Sequence, residues 1–404
     1  MQKVFFNNVI KMKRIILSLL LSGSLSTLYA QGKFVFTDKN TLECMPVENQ
    51  GYSGTCWCFS ATSFLESEMI KSGLTNPPDL SEMFIVRNNY LDRAKKYVML
   101  HGNMTFSQGS YFLDNLQVMR DYGLMPENVY PNLRVGETSI DHSELDEALK
   151  NYADSVADEG QNLLDTNWID GYNALLDKYF GKIPETFEYE GKTYTPKTFA
   201  SEYCKLKYAD FIQVTSFSHH GFYKFFPLEL PDNWRWSLFL NVKVDDLITI
   251  INNSLALGHT VLWASDVSED GFDFRRGYAL LPGIYTEKLS KKEIEEFKQL
   301  SVNEQTLKAE RLTRPGLEIS VTQESRQTDF LNRKTTDDHG MHIVGTATDQ
   351  DGNKFYKVKN SWGAVGNFKG YFYVSENFVK AKTTGILVNK ECCKEFLKKA
   401  ETEF

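Results

Sequence analysis

Asn49-Gln50-Gly51-Tyr52-Ser53-Gly54-Thr55-Cys56-Trp57-Cys58-Phe59-Ser60 is the stretch on which the reading of the whole chain turns. It sets a glutamine six residues ahead of a cysteine that opens an apolar helical pattern. Trp57, Ala61, Phe64, Leu65 and Met69 recur at helical spacing, which predicts a helix from Cys56 to Lys71 ended by Gly73. A thiol at a helix N-terminus meets unpaired N–H groups and the positive end of the helix dipole, and both favour thiolate. Gln50 would then offer a side-chain N–H to the charge that develops on an attacked carbonyl. Taken alone, Cys56 reads equally as a small buried hydrophobe and Gln50 as a loop residue. A base for the thiol, and a group that orients the base, are what the reading needs.

Both stand near the other end of the chain. Asp337-Asp338-His339-Gly340-Met341-His342-Ile343-Val344-Gly345 leads into a predicted strand, and Lys357-Val358-Lys359-Asn360-Ser361-Trp362-Gly363 closes the next. The turn Asp349-Gln350-Asp351-Gly352-Asn353 makes them a hairpin, with His339 beside Asn360. A histidine bonded to an asparagine carbonyl is fixed in one tautomer and can pair as imidazolium with a thiolate. Trp362 would shield that bond from water. An EF-hand reading of the acidic turn fails, because glycine and glutamate are required where Lys354 and Asn360 stand. His339 and His342 are three apart on a strand and so face opposite ways; only one can point at Cys56. Cys58 is turned by about 200° from Cys56 on the helix, and core packing explains it better. His219-His220 and the histidines at 101, 142 and 259 lack a partner spacing and read as structural. Cys392-Cys393 has neither a CxxC spacing nor a clustered histidine, so neither metal nor cofactor is expected.

Gln50, Cys56-Trp57, His339 and Asn360-Ser361-Trp362-Gly363 together resemble the signatures of papain-type cysteine peptidases. The pattern around the family's histidine is similar to His-x-Val-x-x-Val-Gly; counted from His339 it meets Met341, Val344 and Gly345, which selects His339 over His342. The resemblance implies an α+β, papain-like fold with a helical left domain and an antiparallel, β-barrel-like right domain. It also implies Cys56, His339 and Asn360 as catalytic residues, Gln50 at the oxyanion, and Trp57 and Trp362 in support. Ser53 stands where many relatives carry a disulfide cysteine. His339 follows Cys56 by 283 positions, against about 130–150 in compact papain-like enzymes, so a large, mainly helical insertion is expected at about 100–240.

Long insertion and missing cysteine resemble the bleomycin hydrolase and aminopeptidase C branch. The likeness runs on through Gln108-Gly109, Asp121-Tyr122-Gly123-Leu124-Met125-Pro126, Asn241-Val242, and Val261-Leu262-Trp263 with Asp266-Val267, over most of residues 45–390. It implies an aminopeptidase acting on peptides, a homo-oligomer of hexamer type, and a C-terminal tail in the cleft that meets the substrate's free amine. Here only 14 residues follow Lys390, in a charged and expectedly helical tail that is shorter than the family's. An endopeptidase with an open cleft is therefore the alternative. A non-catalytic peptide-binding protein on the same fold is a third reading, although neither nucleophile nor base is lost.

The 404-residue chain is 42% hydrophobic, 24% charged and 13% aromatic, a composition that suits a folded protein with packed aromatic surfaces. Lys11, Lys13 and Arg14 precede the apolar run Ile15–Leu21 and small residues ending at Ala30, which reads as a signal peptide at 1–30, with Met12 as an alternative start. The run is too short and interrupted to anchor a membrane protein, so a periplasmic or extracellular domain at 31–404 is expected. No room is left between Gln31 and Cys56 for an N-terminal propeptide. Residues 1–30 hold four positive and no acidic residues, so their removal takes the formal charge from -8 to -12, which argues against nucleic acid as a partner. Six cysteines are too few for a disulfide scaffold. Helices are expected at Phe112–Tyr122, within Ile140–Tyr179, at Asp245–Leu257 and over the charged 287–312. Strands are expected at Thr260–Ala264, Ile343–Thr348, Lys354–Lys359 and Gly370–Val374.

Overall fold

A computed structural model describes residues 33–134, 136–158 and 167–402; the expected signal peptide lies outside them. After strand β1 (Thr37–Thr41), the chain is helical through α1 (Cys56–Lys71), α2 (Glu82–Met99), α3 (Phe112–Tyr122), α4 (Ser143–Ala157) and α5 (Trp168–Phe180). The apolar spacing that predicted α1 buries Trp57, Ala61, Phe64, Leu65 and Met69. Gly73 follows its end with a φ of +94° and Gly123 follows α3 at +97°, backbone that other residues adopt only under strain.

The expected helical insertion at about 100–240 needs correction beyond Phe180. A hairpin of β2 (Phe187–Tyr189) and β3 (Lys192–Tyr194) comes first, then β4 (Phe211–Thr215), β5 (Phe225–Pro227) and β6 (Leu238–Asn241). These last three belong to the main sheet. Every residue of Phe211–Thr215 is buried, and a short apolar run covered on both sides carries no periodicity to separate strand from helix.

Helix α6 (Val244–Leu257) ends at Gly258 in the left-handed conformation. Then come β7 (Val261–Ser265), β8 (Phe272–Asp273), β9 (Tyr278–Ala279) and β10 (Gly283–Ile284). The charged segment 287–312 is two helices, α7 (Lys291–Gln299) and α8 (Val302–Lys308), where one was expected. The Ser-x-x-Glu pattern occurs twice: Ser290 with Glu293 and Ser301 with Glu304 each close a capping box, so the second serine starts a new helix. The rest is β11 (Leu317–Glu318), α9 (Gln323–Leu331), β12 (His339–Thr348), β13 (Lys354–Lys359), β14 (Tyr371–Ser375), α10 (Glu376–Lys382), β15 (Thr383–Asn389) and α11 (Lys394–Thr402).

The main sheet runs β5-β6-β4-β15-β7-β12-β13-β14-β9-β8, with β1 also paired to β12. Most pairs are antiparallel; β4 with β6 and β9 with β14 are parallel. Its central strands are buried on both faces, and side-chain alternation sorts them. On β7, Leu262 and Ala264 join the core shared with α1 and the helical half, whereas Val261 and Trp263 join the core under α6. Leu387 and its neighbours Ile386 and Val388 divide in the same way. This is a papain-like α+β fold, with α1 laid across β12 and β7.

Strand β15 and helix α11 have a packing role. Ser265 pairs with both His339 and Thr383, so β15 starts level with the histidine and carries the chain away by roughly 20 Å. α11 then buries Phe396 and Ala400 in the α6 core, on the sheet face opposite α1. Phe396→Ala should cost about 3–5 kcal/mol, read as a fall in the denaturant midpoint.

Candidate active site

Three segments meet at the start of α1. Gln50 N–H donates to the Ser361 carbonyl at 2.9 Å, Gly54 N–H donates to Gln108 Oε1 at 2.7 Å, and Trp57 Nε1–H donates to the Gln108 carbonyl at 3.0 Å. Gly51 has a φ of +60°, and a Cβ there would lie 2.4 Å from the Ile140 carbonyl oxygen. The loop 49–55 is thus held from both the helical half and the sheet, and it delivers Cys56 to the first position of α1.

His339 opens β12 on the other side. Its Nε2 is 2.7 Å from Asn360 Oδ1, and Trp362 stacks on the ring at 4.6 Å between centroids and 26° between planes. With Nε2 given to Asn360, Nδ1 is the nitrogen left for Cys56. No hydrogen bond joins the thiol and the ring directly; Cys56 Sγ accepts from the N–H of Gly340, next to the histidine, at 3.4 Å. His342 turns the other way: it is fully buried, with Nδ1 3.0 Å from Ser63 Oγ.

Gln50 is also ordered. Its Oε1 accepts from Ser361 Oγ at 2.7 Å, and its Nε2 donates to the Ser53 carbonyl at 2.7 Å. That leaves one amide proton over, beside the Cys56 N–H that the first helical turn leaves without an intrahelical acceptor. Cys58 sits in the core with its thiol toward the Glu82 carbonyl. All six cysteines are free thiols, and Cys392 and Cys393 are buried in the fold.

The expectation that the helix N-terminus by itself acidifies Cys56 is not met. Burial pushes the thiol up to about 12; the Gly340 N–H opposes this, and the charges of Asp232 and Asp337 add to it. Burial likewise takes His339 down to about 4, against the pull of Asn360 and Asp338. Desolvation outweighs the dipole because neither ion, formed singly, keeps a hydration shell.

Sequence reasoning passed over two further groups. Asp337 lies two residues before His339; Thr384 Oγ1 donates to its Oδ1 at 3.4 Å, while its buried Oδ2 has no hydrogen-bond partner. Asp232 comes from the segment between β5 and β6 and packs over Gly109, where a Cβ would lie 2.2 Å from Asp232 Oδ2. That segment is fixed by Trp234 Nε1–H donating to Ser110 Oγ at 2.8 Å and by Arg235 paired with Asp92 at 2.9 Å. Asp337 could have been singled out as an acid flanking the histidine. Nothing local marks Asp232.

A second omission lies beneath the site. Glu48, Glu66 and Glu82 gather around Lys359, whose Nζ donates to Ser63 Oγ at 2.7 Å. Thr62 Oγ1 and Asn132 Nδ2 donate to the Glu82 carboxyl at 2.5 and 2.6 Å, yet burial, with Glu66 nearby, raises Glu82 to about 8.

Thiol, imidazole, orienting amide and oxyanion donor on this fold are the constellation of a cysteine-type peptidase. Residues 93–403 match the model of the Peptidase C1-like family, and the chain belongs to that family. The match takes in His339 and Asn360 and begins after Cys56. Aminopeptidase G of Lactobacillus delbrueckii subsp. lactis is 24% identical over 382 residues, 85% of this chain and 81% of its own length. Aminopeptidase C of Lactococcus lactis subsp. cremoris is 24% identical over 390 residues, 87% and 82% of the two chains. The crystal structure of pepw from lactobacillus rhamnosis hn001 superposes with a TM-score of 0.64 at 18% identity, covering 91% of this chain and 85% of that one, which is a likeness of fold.

The buried acids give a pH test of stability. Glu82 binds its proton more tightly in the folded protein, at about 8, than an ordinary glutamate does at 4.5, so the native state gains protons relative to the unfolded chain. Stability should therefore fall as pH rises from about 4.5 to about 8. In Glu82→Gln, thermal melting between pH 5 and 9 should show a shallower decline than the parent.

Proposed function

We propose that the protein is an aminopeptidase that removes N-terminal residues through an acyl-enzyme. Burial makes either ion costly alone, but transfer of the Cys56 proton to His339 Nδ1 creates both together, and each neutralises the other. Sγ then bonds to the peptide carbonyl carbon, and the resulting oxyanion is met by the Cys56 N–H and Gln50 Nε2. His339 passes its proton to the leaving nitrogen as the C–N bond breaks. It next takes a proton from water, whose oxygen displaces Sγ and frees the acid. Asn360 and Trp362 keep the ring in the orientation that both proton transfers need.

The observation that carries the exopeptidase reading is the unpartnered Oδ2 of Asp337, two residues before His339, with the Asp232 carboxyl over Gly109 on the helical side. A substrate's α-ammonium would supply the donor that Oδ2 lacks. Residues Phe396 and Ala400 of α11 pack on the far face of the sheet, and in this reading the carboxyls of Asp337 and Asp232 take the role that the family resemblance gave to the C-terminus. The names of the relatives agree with this reading. An open-cleft endopeptidase remains the second outcome of the test.

Hydrolysis of aminoacyl fluorogenic amides should be lost in Cys56→Ala and His339→Ala and kept in His342→Ala. Full activity in Cys56→Ala would refute the mechanism. Free-amine substrates should be cleaved and their N-acetylated counterparts spared; equal cleavage of both would make the protein an endopeptidase. Burial, with the Asp232 charge beside it, raises Asp337 well above the usual carboxylate range, so in this reading the bound α-ammonium displaces its proton. Asp337→Asn cannot ionise and loses a charge-assisted bond of about 1.5–3 kcal/mol, and kcat/KM for free amines should fall about tenfold or more with N-acetylated substrates unaffected.

Asp232 is raised by burial to about 6. It is neutral below that pH and anionic above, so kcat/KM for free amines should climb as pH rises through about 6. We also propose export directed by residues 1–30. Mass spectrometry of the protein recovered from its host should then find Gln31 at the N-terminus, and an intact leader would contradict this.

A further inference from the structure

Away from the cleft, His219 and His220 lie on the turn after β4, and Glu229 follows β5. Glu229 Oε2 is 3.1 Å from His219 Nε2, and Oε1 is 2.7 Å from His220 Nε2. One ligand atom from each of the three residues falls within 4.8 Å of the others. We propose that these residues form a binding site for one divalent ion of the zinc class, independent of the peptidase chemistry. Two imidazoles and one carboxylate suit zinc and its neighbours and not magnesium or calcium, which take oxygen ligands. Metal bonds of about 2.0–2.2 Å fit inside the triangle that the three atoms already make.

The rings are set in place without the ion. His220 stacks on Phe226 at 4.0 Å and 27°, and His219 lies nearly parallel to Phe330. Buried Asn241 fastens the turn, its Nδ2 donating to the carbonyls of Phe217, His220 and Gly221 at 2.7 to 3.1 Å. Nδ1 of His219 meets the Gln327 amide, 3.1 Å from Nε2 and 3.4 Å from Oε1. With a metal on Nε2 the ring carries its proton on Nδ1, where Gln327 Oε1 accepts it, as outer-shell oxygens do around ligating histidines. Glu229 presents its carboxylate at the surface, so an ion reaches it without opening the fold.

The ion would tie three pieces of chain: the turn after β4, helix α9 through Gln327, and the segment that runs from Glu229 to Asp232. The last of these is one wall of the cleft. Metal therefore acts as a clip that steadies the wall and takes no part in the proton transfers.

Zinc titration of Cys56→Ala protein, from which the cleft thiol has been removed as a competing ligand, should give one equivalent by calorimetry and a melting temperature that rises with zinc and not with magnesium. In that background His220→Ala and Glu229→Gln should each lose both responses, and Gln327→Ala should bind about 10- to 100-fold more weakly. His101→Ala should behave as the parent. Zinc binding unchanged in His220→Ala and Glu229→Gln, or absent from the parent, would overturn the site. X-ray absorption on the zinc-loaded parent needs no variant: two imidazole scatterers are expected, and a sulfur shell would equally overturn it.

Discussion

Everything at the cleft depends on how closely the start of α1 approaches β12. Gly340 faces that helix, and a Cβ there would lie 2.8 Å from Phe112, 3.1 Å from Ser60 Oγ and 3.2 Å from the Trp57 Cα. Because nothing stands in that space, the backbone of β12 comes near enough for the Gly340 N–H to reach Cys56 Sγ. The same approach brings His339, one residue earlier, into range of the thiol. A methyl group at 340 would push strand and helix apart and dissolve the site with every catalytic side chain still present.

The close contact has a counterpart below it. Glu48, Glu66, Glu82 and Lys359 occupy the interface where α1 and α2 meet the Asn360 segment, and burial lifts the carboxyls well above their ordinary range. Such groups oppose folding at neutral pH unless each keeps its hydrogen bonds. What they provide is direction: Thr62, Asn132 and Ser63 are bonded to specific atoms of the cluster, so α1 has one way to sit. An all-apolar interface would hold the helix as firmly and place its N-terminus less closely.

The part of the site that was legible in sequence is the part made by short-range patterns. Gln50 and Cys56 share one loop and helix, and His339 and Asn360 share one hairpin, so spacing alone joined each pair; the family motifs then joined the two. Asp232 was invisible because it reaches Gly109 from more than a hundred residues away. Glu229 was missed for a related reason: the histidine doublet has no metal spacing along the chain, and only the β5 crossing folds a carboxylate back onto it. In the fold, helical spacing of apolar residues closed by a glycine found α1, α3 and α6, although α1 is buried along nearly its whole length. It failed at β4, only five residues long and covered on both sides, and the two Ser-x-x-Glu boxes within 287–312 were read as one helix because their charges outweighed the caps.

The position of β15 bears on when this protein can fold. It lies between β4 and β7, yet among the described residues it is made after every other strand, so the two flanks of the sheet stay unjoined until it appears. The core under α6 cannot close before Phe396 arrives. Pairing across such separations is slow and leaves strand edges open meanwhile. Until β15 is in place β4 and β7 have no strand between them, and Ser265, which pairs with His339 on one side, lacks its partner Thr383 on the other.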